Sequence, residues 1–280
     1  MSTESQPTAP NRWKRRGLIA LVGLIALIWA APRVISVSPL LSWASGKASE
    51  HLNGTVEIGR ASLGWFAPIV LRDVVVRDAD NRVAIRIDRI ETDQRLLSML
   101  FDRDDLGGIR IDKLHLDWTV GKTSSNLEAV LAKLIHSTEK PNEPTKPIAL
   151  PRVHVEIANG TIDIRDADSP RVWQVTEFAL SARVQDAGKS VQILTQGLTS
   201  DNGENGSFKA EVFLTNPLDA NLKATVKSNF TSLPIGPVGL FARRSQPNTE
   251  FAGTLRGHIR APLQLEGLRR MLPQIVDTER

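Results

Sequence analysis

The side chains that could ligate a metal or move a proton are spread thinly along this chain. The five histidines stand at His51, His115, His136, His154 and His258. No two of them have the three- or four-residue spacing that puts ligands on one helix face. There is no cysteine, which removes thiolate metal sites, disulfides and cysteine nucleophiles together. Asp102, Asp104 and Asp105 beside Arg103 lack the glycine and distal glutamate of a calcium loop and read as a solvated turn. No Gly-x-Ser-x-Gly elbow, phosphate loop or dinucleotide fingerprint occurs. No catalytic residue, metal site or cofactor is therefore expected, and the chain is not read as an enzyme. Asn53, Asn159 and Asn229 head Asn-x-Ser/Thr triplets, which in a bacterial setting are read as turn residues.

What remains is physical chemistry of surfaces, and it begins at the N-terminus. Arg12-Trp13-Lys14-Arg15-Arg16 runs directly into Gly17–Ala31, a stretch without a charge. As a helix, about fifteen residues span roughly 22 Å. The basic cluster fixes its start on the cytoplasmic side. Arg15 and Arg16 flank it, Leu18, Leu21, Leu24 and Leu27 fill it, and Trp29 lies near its far end. The expected elements are a cytoplasmic stretch 1–16 and a membrane anchor with its membrane-proximal segment over 17–43. A cleaved signal peptide is the competing reading, and either one exports the body. The net charge of +4 owes much to the basic cluster, so nucleic-acid binding is not inferred.

Beyond residue 54 the hydropathy alternates with period two. Val83, Ile85 and Ile87 alternate with Arg82, Arg86 and Asp88. Leu114, Leu116 and Trp118 alternate with His115, Asp117 and Thr119. Val153, Val155 and Ile157, then Ile162 and Ile164, do the same with polar partners. Such alternation marks antiparallel strands with one apolar and one wet face. Asn159-Gly160 between two such runs predicts a two-residue hairpin, and Asp201–Gly206 a further turn. The same Asn-Gly-Thr triplet at 53–55 and 159–161 is expected to open a strand in each half, and Asp78-Ala79-Asp80 and Asp166-Ala167-Asp168 each close a run.

Short helices are expected near 94–101 and over 124–136, the latter capped by Ser124-Ser125-Asn126. The proline-rich segment 138–150 is read as a linker. It would divide a first β region, 44–137, from a second, 151–280. Gly64-Trp65-Phe66-Ala67-Pro68 is either a strand corner with buried aromatics or an aromatic contact with a membrane.

The order of these parts resembles the start of AsmA-like and TamB-like envelope proteins. The likeness is carried by the anchor, by Gly54–Phe66 with its glycine-aromatic corner, and by the next strand Pro68–Asp78. It continues through Ile109–Leu116, through Ser125-Asn126-Leu127 opening a helix, and through Leu233-Pro234-Ile235 to Gly253–Ile259. It covers most of residues 13–261 and rests on order and hydrophobic pattern. The resemblance implies a mainly β body with a few short helices, an elongated, curved antiparallel sheet forming an apolar groove. It implies phospholipid transport or outer-membrane biogenesis, with membrane lipids and outer-membrane biogenesis proteins as partners, at the bacterial inner membrane with the body in the periplasm. The groove residues would be Val83, Ile85, Ile87, Ile109, Ile111, Leu114, Leu116, Trp118, Val153, Val155, Ile157, Ile162 and Ile164. The same alternation would equally build a closed core, and a membrane-anchored adaptor that binds protein partners is the alternative function.

Overall fold

A computed structural model describes residues 39–102, 105–137, 151–201, 203–217, 222–245 and 253–264. The anchor residues Arg15, Arg16, Leu18, Leu21, Leu24, Leu27 and Trp29, and the linker 138–150, lie outside the described residues. Among those described, no helix is long and apolar enough to cross a membrane.

Helix α1 (Pro39–Glu50) leads into β1 (Thr55–Ser62), β2 (Pro68–Arg77) and β3 (Val83–Arg95). Helix α2 (Leu96–Phe101), β4 (Asp105–Val120) and α3 (Asn126–Ser137) follow. Then come β5 (Arg152–Asp166), β6 (Val172–Gln185), a 3₁₀ turn (Asp186–Gly188), β7 (Ser190–Asp201), β8 (Glu204–Thr215) and β9 (Lys223–Pro234). Helix α4 (Gly236–Ser245) and β10 (Thr254–Gln264) complete the order. The ten strands among the described residues form one open sheet in sequence order.

The sheet is mixed, which corrects the expectation of a wholly antiparallel one. Strands β4 and β5 pair in parallel, from Gly107 opposite Val153 to Val120 opposite Asp166. The reason is the connection. A parallel pair needs a crossover that returns the chain to the starting end, and the segment with α3 performs that return. The strands on either side of the proline-rich linker thus lie next to each other.

A second correction concerns Asn159-Gly160, which opens no hairpin and starts no strand. Both residues lie inside β5, where the register to β6 shifts between Ile157 and Gly160 and again before Ile162. Asn159 has φ 55°, a conformation that asparagine tolerates and that a bulge uses as readily as a turn. The acidic turns and the β7–β8 turn fall where expected. Asp78 Oδ1 accepts from the backbone N–H of Asp80 at 3.0 Å and of Arg82 at 2.8 Å, an Asx turn between β2 and β3.

Asn159 belongs to a line that crosses the sheet. Asp73 in β2, Lys113 in β4, Asn159 in β5 and Glu177 in β6 all have φ between 50° and 56°. The ladder flanks them at matching heights, as in Ile87 opposite Leu114 and Ile90 opposite Ile111. Lys113 and Asp88, which face each other on this line, are joined by an ion pair at 3.5 Å. At the β1 end the line meets Gly59, where a Cβ would crowd that of Asp73. From β1 to β5 the line crosses at the same height on each strand and the ladder keeps its register across it, while the pairing of β6 with β5 and with β7 shifts there. The apolar face then continues across the line: Ile109 and Ile111 share a face with Leu114 and Leu116 despite their odd spacing.

Two small cores form, both on the apolar face and toward one end of the strands. In one, Leu240 and Phe241 of α4 pack on Trp118, Val120, Ile162, Ile164 and Trp173. In the other, Val130 and Leu127 of α3 pack on Val56, Val76, Ala84 and Ile85. Helix α3 starts there because Ser125 and Glu128 form a capping box. The Ser125 N–H donates to Glu128 Oε2 at 2.7 Å, and the Glu128 N–H to Ser125 Oγ at 3.3 Å. Asn126 then ties the first turn to β4, its amide donating to the Asp117 carbonyl at 2.7 Å and its oxygen accepting from Thr119 N–H at 3.0 Å.

Candidate functional site

The sheet's apolar face has two halves that differ in cover. The first is the helix-covered half. Trp173 is 3% exposed and packed under α4. Its Nε1 donates to Asp201 Oδ2 at 3.1 Å while the Arg171 guanidinium lies 5.1 Å over its ring. Gly236 opens α4 directly on that indole, where any Cβ would strike the ring. Trp118 and Phe241 meet at 5.1 Å between ring centroids.

Charge pairs hold α4 in this place. Arg243 donates to Asp166 Oδ2 at 2.7 Å, and Arg244 to Glu128 Oε1 of α3 at 2.7 Å. Burial opposes ionisation of Asp166. The bonds from Arg243, from Asp168 N–H and from the Ser169 hydroxyl outweigh it and hold the carboxyl below its ordinary range. Glu128 is lowered in the same way, against its burial, by Arg244 and Ser125.

The second half runs from the transverse line to the opposite end of the strands. It contains Leu71 and Ile90, Ile109 and Ile111, Val153, Val155 and Ile157, all partly buried. Ladder pairing sets them side by side: Ile109 with Val155, Ile111 with Ile157, Val155 with Ala182, and Ile157 with Leu180. The row passes on to Ile193 and Val191, then Val212 and Leu214, then Val226. None of these side chains belongs to either buried core. Among the described residues no helix packs over them. Each is shielded chiefly by its neighbours in the ladder.

Apart from Val83, the thirteen residues expected to line a groove therefore fall into two groups. Ile85, Ile87, Leu114, Leu116, Trp118, Ile162 and Ile164 lie in the half that carries the helices, where Ile87 and Ile164 are buried; Val83 stands apart, paired with Arg77 beyond a register shift and lining a cleft with Asp78, Arg82 and Arg165. Ile109, Ile111, Val153, Val155 and Ile157 lie in the open half. The continuation over β6 to β9 was missed by the sequence reading. Its signal is present but muted, as in Leu180-Ser-Ala-Arg-Val184 and Val191-Gln-Ile193, because small and polar residues dilute the alternation.

The ionisable groups sit elsewhere. His154 Nε2 lies 3.0 Å from Ser181 Oγ and 3.3 Å from Glu156, and His115 Nε2 lies 3.7 Å from Asp163. These belong to the polar face, where Arg165 also pairs with Asp117 at 2.9 Å. Asp102 and Asp105 both face Arg152, at 3.9 and 3.3 Å; Asp104 lies outside the described residues. Among the described residues no three His, Cys, Asp or Glu side chains stand close enough to hold a metal ion. A cleft of about 560 Å³ at the β2–β3 turn is lined by Asp78, Asp80, Arg82, Asp117 and Arg165. The Asp78 carboxylate is engaged in the turn and that of Asp117 in the ion pair with Arg165.

Comparison with known proteins adds little to this geometry. No family model matches the chain. A protein of Stutzerimonas stutzeri described as "Putative copper-binding protein" is 75% identical over 28 residues, which are 10% of this chain and 14% of that protein. The matched stretch thus spans far less than two thirds of either sequence and assigns no family.

The aromatic corner departs from the reading of buried aromatics. The Gly64–Pro68 segment does join β1 to β2, yet Phe66 is 63% exposed. The corner is braced by α2, whose Leu97 N–H donates to the Trp65 carbonyl at 3.4 Å. With its backbone held that way, the Phe66 ring stays exposed at the end of the sheet where β1 turns into β2.

Proposed function

We propose that this chain is a non-enzymatic, inner-membrane-anchored envelope protein of the AsmA/TamB type. Its periplasmic sheet shelters phospholipid acyl chains on the open half of its apolar face. One observation carries the reading: a row of Ile, Val and Leu side chains crosses at least seven neighbouring strands and has no covering helix among the described residues. A contiguous apolar surface of that extent is costly in water, at roughly 25 cal/mol per Å². An acyl chain laid across it removes area from water on both partners. The charged groups on the opposite face keep the sheet itself soluble. The apolar stretch Gly17–Ala31 behind its basic cluster supports the anchored, exported placement.

Copper handling is not part of this proposal. The matched stretch is 10% of the chain, and no donor cluster stands among the described residues.

The reading is tested by crosslinking the full chain, in cells or in vesicles, to a phospholipid that carries a photoreactive acyl chain. Adducts are expected on 109–111, 153–157 and 180–193, and are expected to fall away in Ile111→Asp and Ile157→Asp. Adducts confined to residues 17–38 would overturn the carrier reading and leave the adaptor reading. That second reading has its own observation: β10 is an edge strand with no further partner among the described residues, and Leu255 and Ile259 on it are 40% and 47% exposed. Such an edge can accept a partner's strand.

A further inference from the structure

Phe101 and Phe66 are the two most exposed large apolar side chains among the described residues, at 84% and 63%. They sit at the same end of the sheet. Pro68 at the start of β2 pairs with Arg95 at the end of β3, and the first turn of α2 is bonded to the Trp65 carbonyl. This is also the end at which the apolar face is open, since Thr92 pairs with Ile109 and Ile109 with Val155.

The direction of the chain points to what meets these rings. Helix α1 packs on β1 after a link of only residues 51–54. Ser49 Oγ accepts from Val56 N–H at 2.8 Å, so the C-terminal turn of α1 lies beside the start of β1. A helix joined so tightly to the strand it packs on must run antiparallel to it. Pro39 is thus directed toward the far end of β1, where the aromatic corner stands. The uncharged stretch Gly17–Ala31 ends eight residues before Pro39, which is the end of α1 nearer the aromatic corner.

We infer that the Gly64–Pro68 corner and α2 form a lip that rests in the interfacial region of the same bilayer that Gly17–Ala31 enters, with Phe66 and Phe101 as the inserted rings. Exposed phenylalanines on a tight corner and a short helix, at the end where the chain arrives, suit an occupant that is apolar and without fixed shape. A bilayer is both. The lip deepens the lipid reading and rests on the membrane anchor within it: it names the surface from which acyl chains would reach Ile109, Ile111 and Val153.

The absence of cysteine makes the test direct. Phe66→Cys, Phe101→Cys and, at the opposite end, Ala79→Cys are each labelled with an environment-sensitive fluorophore in the full chain. The labelled proteins are then reconstituted in vesicles of equimolar phosphatidylethanolamine and phosphatidylglycerol. The probes at 66 and 101 are expected to shift to the blue, to lose quenching by aqueous iodide, and to gain quenching by lipids bearing a nitroxide. The probe at 79 is expected to remain in water. Iodide quenching at 66 and 101 equal to that at 79 would overturn the lip. So would protection from iodide without quenching by lipid nitroxide, which would mark a protein contact. Acyl crosslinks that persist on 153–157 while both probes stay in water would remove the lip alone. Probes in lipid without any such crosslinks would uphold the lip and remove the carrier reading.

Discussion

The two halves of the apolar face share strands β2 to β6 and the same alternation, yet only one of them is a core. Where Trp118, Ile164 and Trp173 line the sheet, α4 arrives with Leu240 and Phe241 and is pinned by Arg243 on Asp166. Where Ile109, Val155 and Leu180 line it, no described element arrives. The contrast teaches that a period-two pattern specifies a face and says nothing of what lies on it. On the function proposed above, stability and ligand binding separate along the strands, with the covered half holding the sheet together and the open half receiving the ligand.

The sharpest way to test that division is to truncate an equivalent side chain in each half. Trp173→Ala is expected to cost about 3–5 kcal/mol, as for a large buried ring whose cavity cannot collapse. Urea denaturation followed by circular dichroism measures it. Next in size, Arg243→Met leaves the Asp166 carboxylate nearly buried without its cation, at an expected cost of about 2–3 kcal/mol. A loss within error of zero would show that α4 is held by packing alone.

Acid should act on the same end. The carboxyl of Asp166 is held below its ordinary value of 3.8, so the unfolded state binds its proton more readily than the folded state. The stabilisation is present in full above that ordinary value and is lost as pH falls through the depressed one. The urea midpoint is expected to fall more steeply with acid in the wild type than in Asp166→Asn. Parallel curves would contradict the assignment.

Smaller effects sharpen the picture of the transverse line and the open half. Asn159→Val forces a β-branched residue into φ 55° and is expected to cost roughly 1–2 kcal/mol, while Asn159→Gly should be close to neutral. Ile157→Ala is expected to cost only about 1 kcal/mol, below the usual range for a buried isoleucine, because its site is already open. A cost near that of Trp173→Ala would mean that the open half is covered after all.

Much of this architecture was legible in the residues. The alternation through Val83–Ile87, Leu114–Trp118 and Val153–Ile157 placed strands and chose their apolar face. Ser125 with Glu128 marked the start of a helix, and the acidic turns fell where Asp78 and Asp166 said they would. Other features were hidden for physical reasons. Asn159-Gly160 has the chemistry of a left-handed backbone, which a hairpin and an in-strand bulge share, and only the pairing of β4 and β6 on either side decides between them. The odd step from Ile111 to Leu114 was visible as a break in phase. Its meaning required the same break in Asp73, Asn159 and Glu177, which no single strand reveals. Helix α4 was missed because Gly236-Pro237-Val238-Gly239 lacks helix propensity; tertiary contacts with Trp173 and Asp166 hold it. The open half of the site was named only as far as β5, since Ala182, Thr195 and Ala210 weaken the alternation beyond it.

The single parallel junction between β4 and β5 bears on how the molecule comes into being. Every other pairing in the sheet joins strands that follow one another through a turn or a short excursion, so each can zip up from a local contact soon after synthesis. Joining β4 to β5 instead requires the chain between them to return from one end of the sheet to the other before the first bond between them can form. The two ladders, β1 to β4 and β5 to β10, are thus expected to assemble first, with their docking along Ile109–Val155 as the slow event. Until it occurs, both strands stand as unprotected edges. Substitutions at this seam, such as Ile111→Ala, should slow refolding more than they hasten unfolding, whereas those beneath α4 should do the reverse.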